Sequence, residues 1–361
     1  MRKITLFILA LSVLLSACVA AEAPSTAPVT VPSTEASTEA ATIPTTEAVT
    51  LPSTEATDPP VLHRHPLTGA PLDAPFTGRP VAVVTNNHQS ALPHHGVSGA
   101  DILCEILAEG GITRFLAIYT DLKDVGSMGS IRSARTYFIS LARSFDSILV
   151  HHGQSGYAGD LFSASGSDHI NGGAPYFFRD QNRLNTGYAY EHTLFTTGEK
   201  LLQNIEKAGL RLTAKEDIRY GLSFSEDAAI EGTDASTVAV KYGIGGKTNT
   251  LRYDDAAGQY TLTQFGTTYI DGNTGKEVTF SNVLVLFADC RTTGTSHVFH
   301  TLTGENRGYL LQGGQMAPIR WHREHEAAPF TYTLEDGSPI LLKPGKTYIA
   351  VVPANSTVTP K

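Results

Sequence analysis

The hydrophobic and polar positions divide the chain into three zones. A short apolar run follows Arg2 and Lys3, a long stretch has almost no large apolar side chain, and from residue 63 onward apolar runs alternate with turn residues. A segment without apolar side chains cannot bury enough surface to fold. The pattern therefore predicts a signal segment over 1–18, an unfolded linker over 19–62 and a folded part over 63–361.

The folded part up to about residue 222 alternates strand and helix patterns. Continuous or alternating apolar runs predict strands, and amphipathic patterns of period 3.6 predict helices. The expected strands are 80–85, 112–119 and 147–151, and the expected helices are 133–144 and 196–208, with Gly209 ending the second helix. This alternation favours an α/β N-terminal domain over 63–222.

Beyond residue 222 the pattern changes to short β runs separated by Gly, Asp and Asn turn signals. The runs lie at 237–242, 251–253, 260–265, 283–287, 298–302, 309–312, 317–322 and 347–352. Short strands joined by tight turns are typical of hairpins. We therefore predict a mainly antiparallel β domain over 223–361.

Composition narrows the function classes. The chain has 361 residues with 27 Lys and Arg against 35 Asp and Glu, a net charge of −8. A nucleic-acid-binding surface needs a cationic excess, so nucleic acid is not an expected partner. A single apolar run argues against a polytopic membrane protein, and three cysteines argue against a disulfide scaffold. Cys104 and Cys290 lie in apolar runs and are expected to be buried free thiols.

The first zone ends in Leu15-Ser16-Ala17-Cys18, which resembles a bacterial lipobox. In such a motif the cysteine thiol carries diacylglycerol and the new N-terminus carries a further acyl chain such as palmitate, which together anchor a protein stably. The sequence predicts lipidation of Cys18 and a position on the outer face of the cell membrane. An ordinary signal peptide with a chance cysteine is the alternative. The linker repeats a Pro-Ser-Thr-Glu-Ala motif and is expected to act as a spacer.

Three carboxylates stand at intervals of four in an apolar stretch: Asp101, Glu105 and Glu109. On a helix or on a strand this spacing places them on one face. A two-residue hairpin closed at Gly110-Gly111 would pair Glu105 with Leu116 and place Arg114 on the carboxylate face. The group is then either a buried ion-pair network or the wall of a water-lined cleft.

Arg132 and Arg135 flank the N-terminus of the expected helix at 133–144, which Ser130 or Ser133 can cap. A helix N-terminus favours anions, and arginine forks suit phosphate or carboxylate. The alternative is that these arginines pair with acidic residues of the fold, Asp101, Glu105 or Asp146.

The strand expected at 147–151 runs into a Gly-rich turn that carries His152 and Ser155. Ligands of α/β sheets bind at the carboxyl ends of strands, so a Ser–His catalytic pair is a second hypothesis. The surrounding residues do not form a Gly-x-Ser-x-Gly elbow. The histidine pairs match no zinc signature, and no metal or cofactor is expected.

Several of these motifs together resemble the YerB-type bacterial lipoproteins, a family of unknown function. They are 80–87, 99–101, 109–115, 129–135, 151–155, 179–192, 282–287, Trp321 and 342–353. The resemblance covers about residues 65–355 and implies an N-terminal and a C-terminal domain on a lipid anchor, mostly in Gram-positive bacteria. The sequence departs from the pattern at 91–97, where Leu92, His94 and His95 replace residues common in relatives, and at Gln154 and Gly156.

The sequence thus favours a lipid-anchored protein that binds an anionic cell-envelope component. The expected cleft is lined by Asn87, Asp101, Glu105, Glu109, Arg114, Arg132, Arg135, His152 and Ser155. One alternative is an envelope hydrolase that uses Glu105 and Glu109, or His152 and Ser155, as catalytic groups. Another is a scaffold that acts through the β domain. Binding ranks first because arginines near the carboxylates would keep those carboxylates ionised.

Overall fold

The computed structural model describes residues 62–294 and 297–361, so the signal segment, Cys18 and the linker up to residue 61 lie outside the described residues. The described part belongs to one compact unit, Pro59–Lys361. Its helices are α1 (Thr136–Ser144), α2 (Gly156–Ser165), α3 (Gln181–Asn185) and α4 (Gly198–Lys207). Short 3₁₀ turns occur at Gln89–Ala91, Val97–Gly99, Glu109–Gly111 and Tyr190–His192.

Strands dominate the described residues. In the N-terminal half they are β1 (His63–Arg64), β2 (Pro71–Leu72), β3 (Val81–Asn87), β4 (Ile102–Leu107), β5 (Thr113–Tyr119), β6 (Ser127–Gly129), β7 (Ile148–His151), β8 (His169–Asn171), β9 (Phe178–Arg179) and β10 (Leu194–Thr197). In the C-terminal half they are β11 (Thr233–Asp234), β12 (Thr237–Lys241), β13 (Thr248–Asp254), β14 (Gln259–Gln264), β15 (Thr267–Thr268), β16 (Thr279–Phe280), β17 (Asn282–Thr292), β18 (Val298–Thr301), β19 (Gly304–Gln312), β20 (Gln315–Arg323), β21 (Thr331–Leu334), β22 (Thr347–Pro353) and β23 (Thr357–Pro360).

One large mixed sheet runs through both halves of the folded part. Its strand order is β11-β20-β19-β17-β22-β4-β5-β3-β7-β8, with β18 beside β17 and β21 beside β20. The junction between the halves is β22, which pairs in parallel with β17 on one side and β4 on the other. Every residue of β22 is buried, as expected for a parallel strand covered on both faces. The division at residue 222 remains a prediction, and the sheet crosses it.

The two faces of the large sheet have different covers. A six-stranded sheet built mainly from β12, β13, β14 and β23 supplies one core, in which Val238, Leu251 and Leu262 join Phe115. On the other face, α1 and α2 pack through Phe138 and Phe162 in a core that also holds Ile102 and Leu116. Side chains at alternate positions of a strand therefore enter separate cores.

The fold class is confirmed at a coarse level: the protein is mainly β with few helices. In the N-terminal half β3, β7 and β8 pair in parallel, with α1 directly before β7 and α2 between β7 and β8. β5, however, lies antiparallel between β3 and β4, so this half is mixed rather than a regular α/β domain. The predicted strands lie within or close to observed ones, and the helices predicted at 133–144 and 196–208 are α1 and α4.

Candidate functional site

The β4–β5 connection and the start of α1 bring together a cluster of three arginines and one glutamate. Glu109 Oε1 accepts a hydrogen bond of 2.6 Å from Arg135 Nε. Its Oε2 lies 3.6 Å from a terminal nitrogen of Arg114. Arg135 is the N-cap residue of α1 and Arg114 is in β5, so two rigid elements position the pair. We call Glu109, Arg114, Arg132 and Arg135 the arginine cluster.

Arg132 completes this cluster and forms no salt bridge in the described residues, although the charge of the Glu191 carboxylate acts on it. Its Nη1 donates to the backbone oxygen of Glu191 at 3.1 Å. Within the described residues Glu109 is the one carboxylate in ion-pair distance of Arg114 and Arg135, and Arg132 has none at that distance. The four side chains therefore carry three positive charges against one negative charge.

Hydrogen-bond donors remain unused in the arginine cluster. The Nε groups of Arg114 and Arg132 are buried and have no hydrogen-bond partner. Burial lowers the pKa of Arg114 to about 10, and the neighbouring charges of Arg135 and Arg132 act in the same direction. Because a buried unpaired donor costs free energy, these groups favour a ligand or ordered water that accepts their hydrogen bonds.

Glu109 stays ionised in this setting. Burial by itself would raise the pKa of Glu109, but the hydrogen bond and charge of Arg135 and the charge of Arg114 outweigh burial and lower it. A general acid must hold its proton near neutral pH. Glu109 therefore suits charge balance better than proton donation.

Glu105 lies elsewhere, which corrects the predicted hairpin. The β4–β5 connection spans five residues, 108–112, with a 3₁₀ turn at Glu109–Gly111, and Glu105 pairs with Phe115 instead of Leu116. A shift of one residue moves every side chain of a strand to the other face. The prediction that Arg114 shares the face of Glu105 is therefore wrong: Arg114 lies opposite Ile106.

Glu105 is fully buried in a closed polar network toward the six-stranded sheet. Its Oε1 accepts hydrogen bonds from Thr113 at 2.6 Å and from Lys247 at 2.7 Å. Its Oε2 accepts from Asn249 at 2.8 Å and from Tyr348 at 2.5 Å. We call these five residues the Glu105 network. It ties the N-terminal half to the C-terminal half, and its carboxylate is out of reach of a substrate.

The other predicted ligand residues have separate partners. Asp101 lies at the far end of β4, where its Oδ2 accepts from the backbone and the hydroxyl of Thr120 at 2.8 and 2.6 Å. Asn87 is buried and donates to Thr113 Oγ1 at 2.9 Å, which places it beside the Glu105 network. The structure thus divides the predicted cleft residues between two faces of the sheet and one strand end.

His152 and Ser155 do not act on each other. Ser155 is the N-cap of α2, and its Oγ accepts from the backbone N–H of Ala158 at 3.2 Å. His152 Nδ1 contacts the backbone oxygen of Gly172 at 2.8 Å. Neither Ser130 nor Ser133 caps α1, because the N-cap residue is Arg135 and makes no capping bond. Ser133 Oγ donates instead to the backbone oxygen of His152.

Sequence reasoning missed Lys247. It lies 142 positions after Glu105, directly behind a Gly-Gly turn, and its side chain is 7 % exposed. The one local signal is that Lys247, Asn249 and Leu251 alternate toward the same core. Two polar residues on the inward face of a strand indicate a buried partner, but nothing in the pattern identifies Glu105 as that partner.

Cys104 and Cys290 are unbridged. Cys104 is buried, which raises the pKa of its thiol to about 12, and Cys290 is only partly buried. In the described ranges no group of three His, Cys, Asp or Glu side chains is arranged to hold a metal ion. No helix in the same ranges is long and apolar enough to cross a membrane.

Comparisons with known proteins agree on one family. Residues 67–211 match the N-terminal domain, and residues 238–349 the C-terminal domain, of "Protein of unknown function (DUF3048)". The chain is 32% identical over 311 residues to a Bacillus subtilis protein described as "Putative lipoprotein YerB", covering 80% of this chain and 88% of that one. The crystal structure of the B. subtilis YerB protein superposes with a TM-score of 0.71 and 31% identity, covering 82% of this chain and 99% of that chain.

Proposed function

We propose that this chain, which belongs to the DUF3048 family, is a lipid-anchored protein on the outer face of the cell membrane that binds an anionic envelope ligand through the arginine cluster. The similarity to a Bacillus lipoprotein supports the anchor and is consistent with a Gram-positive source. In this proposal residues 1–18 are the signal segment, Cys18 carries the lipid, and residues 19–62 hold the folded part away from the membrane.

The observation that carries the ligand proposal is the charge balance of the cluster. Arg114 and Arg135 share Glu109, Arg132 forms no salt bridge in the described residues, and the buried Nε groups of Arg114 and Arg132 have no acceptor. Phosphate and carboxylate groups supply both the negative charge and the acceptor oxygens. Envelope glycopolymers carry such groups along their length, so muropeptides and teichoic-acid fragments are the ligands to test.

Calorimetry of the full chain with these fragments tests the proposal. We expect Arg132→Ala to weaken binding by about 1.5–3 kcal/mol, the range for charge-assisted hydrogen bonds. Arg132 forms no salt bridge in the described residues, so this variant breaks no ion pair of the fold. Arg135→Ala is expected to weaken binding by a similar amount. Arg320→Ala is the control, since Arg320 is 59% exposed and pairs only with Glu305 at 3.8 Å. Equal affinity in wild type and both cluster variants would rule out the anion site.

The anchor is tested separately. Cells that express the wild type and are labelled with a radioactive fatty acid are expected to incorporate label into this protein, and cells that express Cys18→Ala are expected to incorporate none. Cys290→Ala serves as the matched control, because Cys290 lies in the folded part. Label that persists in Cys18→Ala would contradict the anchor.

The hydrolase alternative has no comparable support. Glu105 has four hydrogen-bond donors and no exposure, and the lowered pKa of Glu109 opposes a role as general acid. His152 and Ser155 have other partners. The proposal therefore rests on binding rather than turnover.

A further inference from the structure

A small cavity opens beside the Glu105 network, on the opposite face of the sheet from the guanidinium of Arg114. Its volume is about 180 Å³, and its wall includes Asn87, Thr113, Ile112, Lys247 and Phe265. At roughly 30 Å³ per water molecule, it has space for about six waters or for one small organic molecule. The cavity shares the β4–β5 connection with the arginine cluster but none of its side chains.

One polar atom of the wall lacks a partner. Asn87 is 0% exposed, and its amide nitrogen donates to Thr113, while its Oδ1 has no hydrogen bond. The Thr113 hydroxyl itself donates to Glu105, so it cannot donate to Asn87. Buried amide oxygens in folded proteins are nearly always paired. The Asn87 oxygen is therefore available to accept a hydrogen bond from a ligand that enters the cavity, through a hydroxyl or an amide N–H.

The cavity has little net charge to offer an ion. Burial lowers the pKa of Lys247, and the opposing effect of Glu105, 2.7 Å away, does not fully offset it. The ammonium group already donates to Glu105 and Gln264. No carboxylate lines the wall. An anion would compete with Glu105 for Lys247, and a cation would be repelled by the Lys247 ammonium group. An uncharged ligand therefore fits the cavity best.

Phe265 gives the wall an aromatic surface. It lies in the turn between β14 and β15 with a φ of 53°, in the left-handed region that a bulky side chain rarely adopts. Phe265 and Gly266 form the two-residue turn of this hairpin, and a type I′ turn requires positive φ at both positions. The Phe265 ring also lies 4.7 Å from Lys247 Nζ. Together with Ile112, it supplies the apolar contact that the carbon face of a sugar ring prefers.

We propose that this cavity binds one uncharged sugar ring, with a hydroxyl or amide donating to Asn87 Oδ1 and the carbon face of the ring packed on Phe265. The size of the cavity, the unpaired amide oxygen, the pairing of Lys247 with Glu105 and the aromatic wall all fit this class of ligand. The site does not depend on the arginine cluster, and it lies where the two halves of the chain meet.

Titration of the full chain with N-acetylglucosamine tests this site, with the protein held in a detergent that lacks a sugar headgroup. Saturation-transfer NMR and calorimetry are expected to detect binding with a dissociation constant on the order of 1 mM, the scale for a ligand of this size. Asn87→Ala is expected to raise that constant at least about tenfold, the loss of one buried hydrogen bond. No binding by the wild type at concentrations of about 10 mM would overturn the proposal.

A second variant separates binding from folding. Phe265→Gly removes the ring, and glycine accepts the left-handed backbone readily, so the thermal midpoint is expected to stay equal or rise while binding weakens at least about tenfold. Asn182→Ala, an exposed change in α3, is the control and is expected to bind like the wild type. Unchanged binding in both Asn87→Ala and Phe265→Gly would refute the site. Displacement of the sugar by inorganic phosphate would refute the assignment to an uncharged ligand.

Discussion

Glu105 and Glu109 are four residues apart, and the molecule uses them in opposite ways. Glu105 is fully buried, and four side chains donate to its two oxygens. Glu109 lies in the β4–β5 connection, partly exposed, among arginines that have donors to spare. A glutamate side chain therefore completes a polar network on one face of the sheet, at Glu105. On the other face, at Glu109, it leaves a cluster with excess positive charge.

The contrast indicates that the degree of burial decides whether a charged group stabilises the fold or remains available to bind a ligand. A buried charge must be fully paired, because an unpaired one is strongly destabilising, so the Glu105 network has no capacity left for an anion. The arginine cluster is closer to solvent and tolerates incomplete pairing at a lower cost. Binding capacity is thus expected on the Glu109 side, and stability is expected to depend on the Glu105 side.

The largest expected effect comes from Lys247→Met, which leaves the Glu105 carboxylate buried without its cation. We expect this variant to lose about 3–5 kcal/mol of unfolding free energy, measured by urea denaturation. Glu105→Gln in the same chain is expected to recover part of that loss, since the double variant has no buried charge left there. Lys276→Met, at an exposed position, is the control. If Lys247→Met lowers the unfolding free energy no more than the control does, the stability of the fold does not depend on the Glu105 network, and the contrast with Glu109 is wrong.

This pair also marks how far the sequence predicts the structure. The strands and helices follow from apolar periodicity, because β runs such as 347–352 and the amphipathic pattern of α4 are local signals. The arginine cluster is partly predictable too, since Arg132 and Arg135 were expected at the start of a helix. The register of β4 against β5 could not be predicted correctly from the sequence. The Gly110-Gly111 pair is typical of a two-residue hairpin, but in the structure it lies inside a five-residue connection.

The Glu105 network could not be predicted from the sequence for a related reason. Its members come from β4, β5, β13 and β22 and from the turn before β13, and they meet only after the two sheets have packed on each other. No spacing along the chain encodes a contact over 142 positions. Local patterns therefore predicted the elements and the arginine-rich segment, while the division of the carboxylates between two faces required the tertiary structure.

The next effect concerns pH and belongs to the Glu105 side, where His94 is fully buried and its Nδ1 contacts Tyr269 at 2.9 Å. Burial holds the pKa of His94 well below its usual 6.5, and the charges of Arg183 and Lys247 add to this effect. The unfolded chain takes up a proton below pH 6.5 while folded His94 does not, so stability is present above pH 6.5 and is lost as the pH falls. The expected loss from this group is about 1.4 kcal/mol per pH unit until the folded pKa is reached.

Urea denaturation at several pH values between 4 and 7 measures this slope. His94→Gln is expected to reduce this slope by up to about 1.4 kcal/mol per pH unit, because one titrating group is gone, although the variant loses some stability at all pH values. Other buried histidines such as His151 and His300, whose pKa burial lowers to about 4, keep contributing to the slope. His322→Gln is the control, since His322 is exposed. A slope that stays the same in His94→Gln would show that another group causes the acid sensitivity.

The smallest expected effect is also the one that separates binding from catalysis. Glu109→Gln removes the carboxylate that competes with a ligand for Arg114 and Arg135, so the cluster changes from a net charge of +2 to +3. We expect affinity for an anionic envelope fragment to rise by roughly threefold to tenfold, up to about 1.4 kcal/mol, and to become more sensitive to salt. Glu105→Gln is expected to leave that affinity unchanged, because its side chain lies in the other core. Calorimetry at two ionic strengths measures both. If Glu109 were catalytic, Glu109→Gln would abolish cell-wall turnover without raising affinity. That result would show that the site is catalytic and does not only bind a ligand.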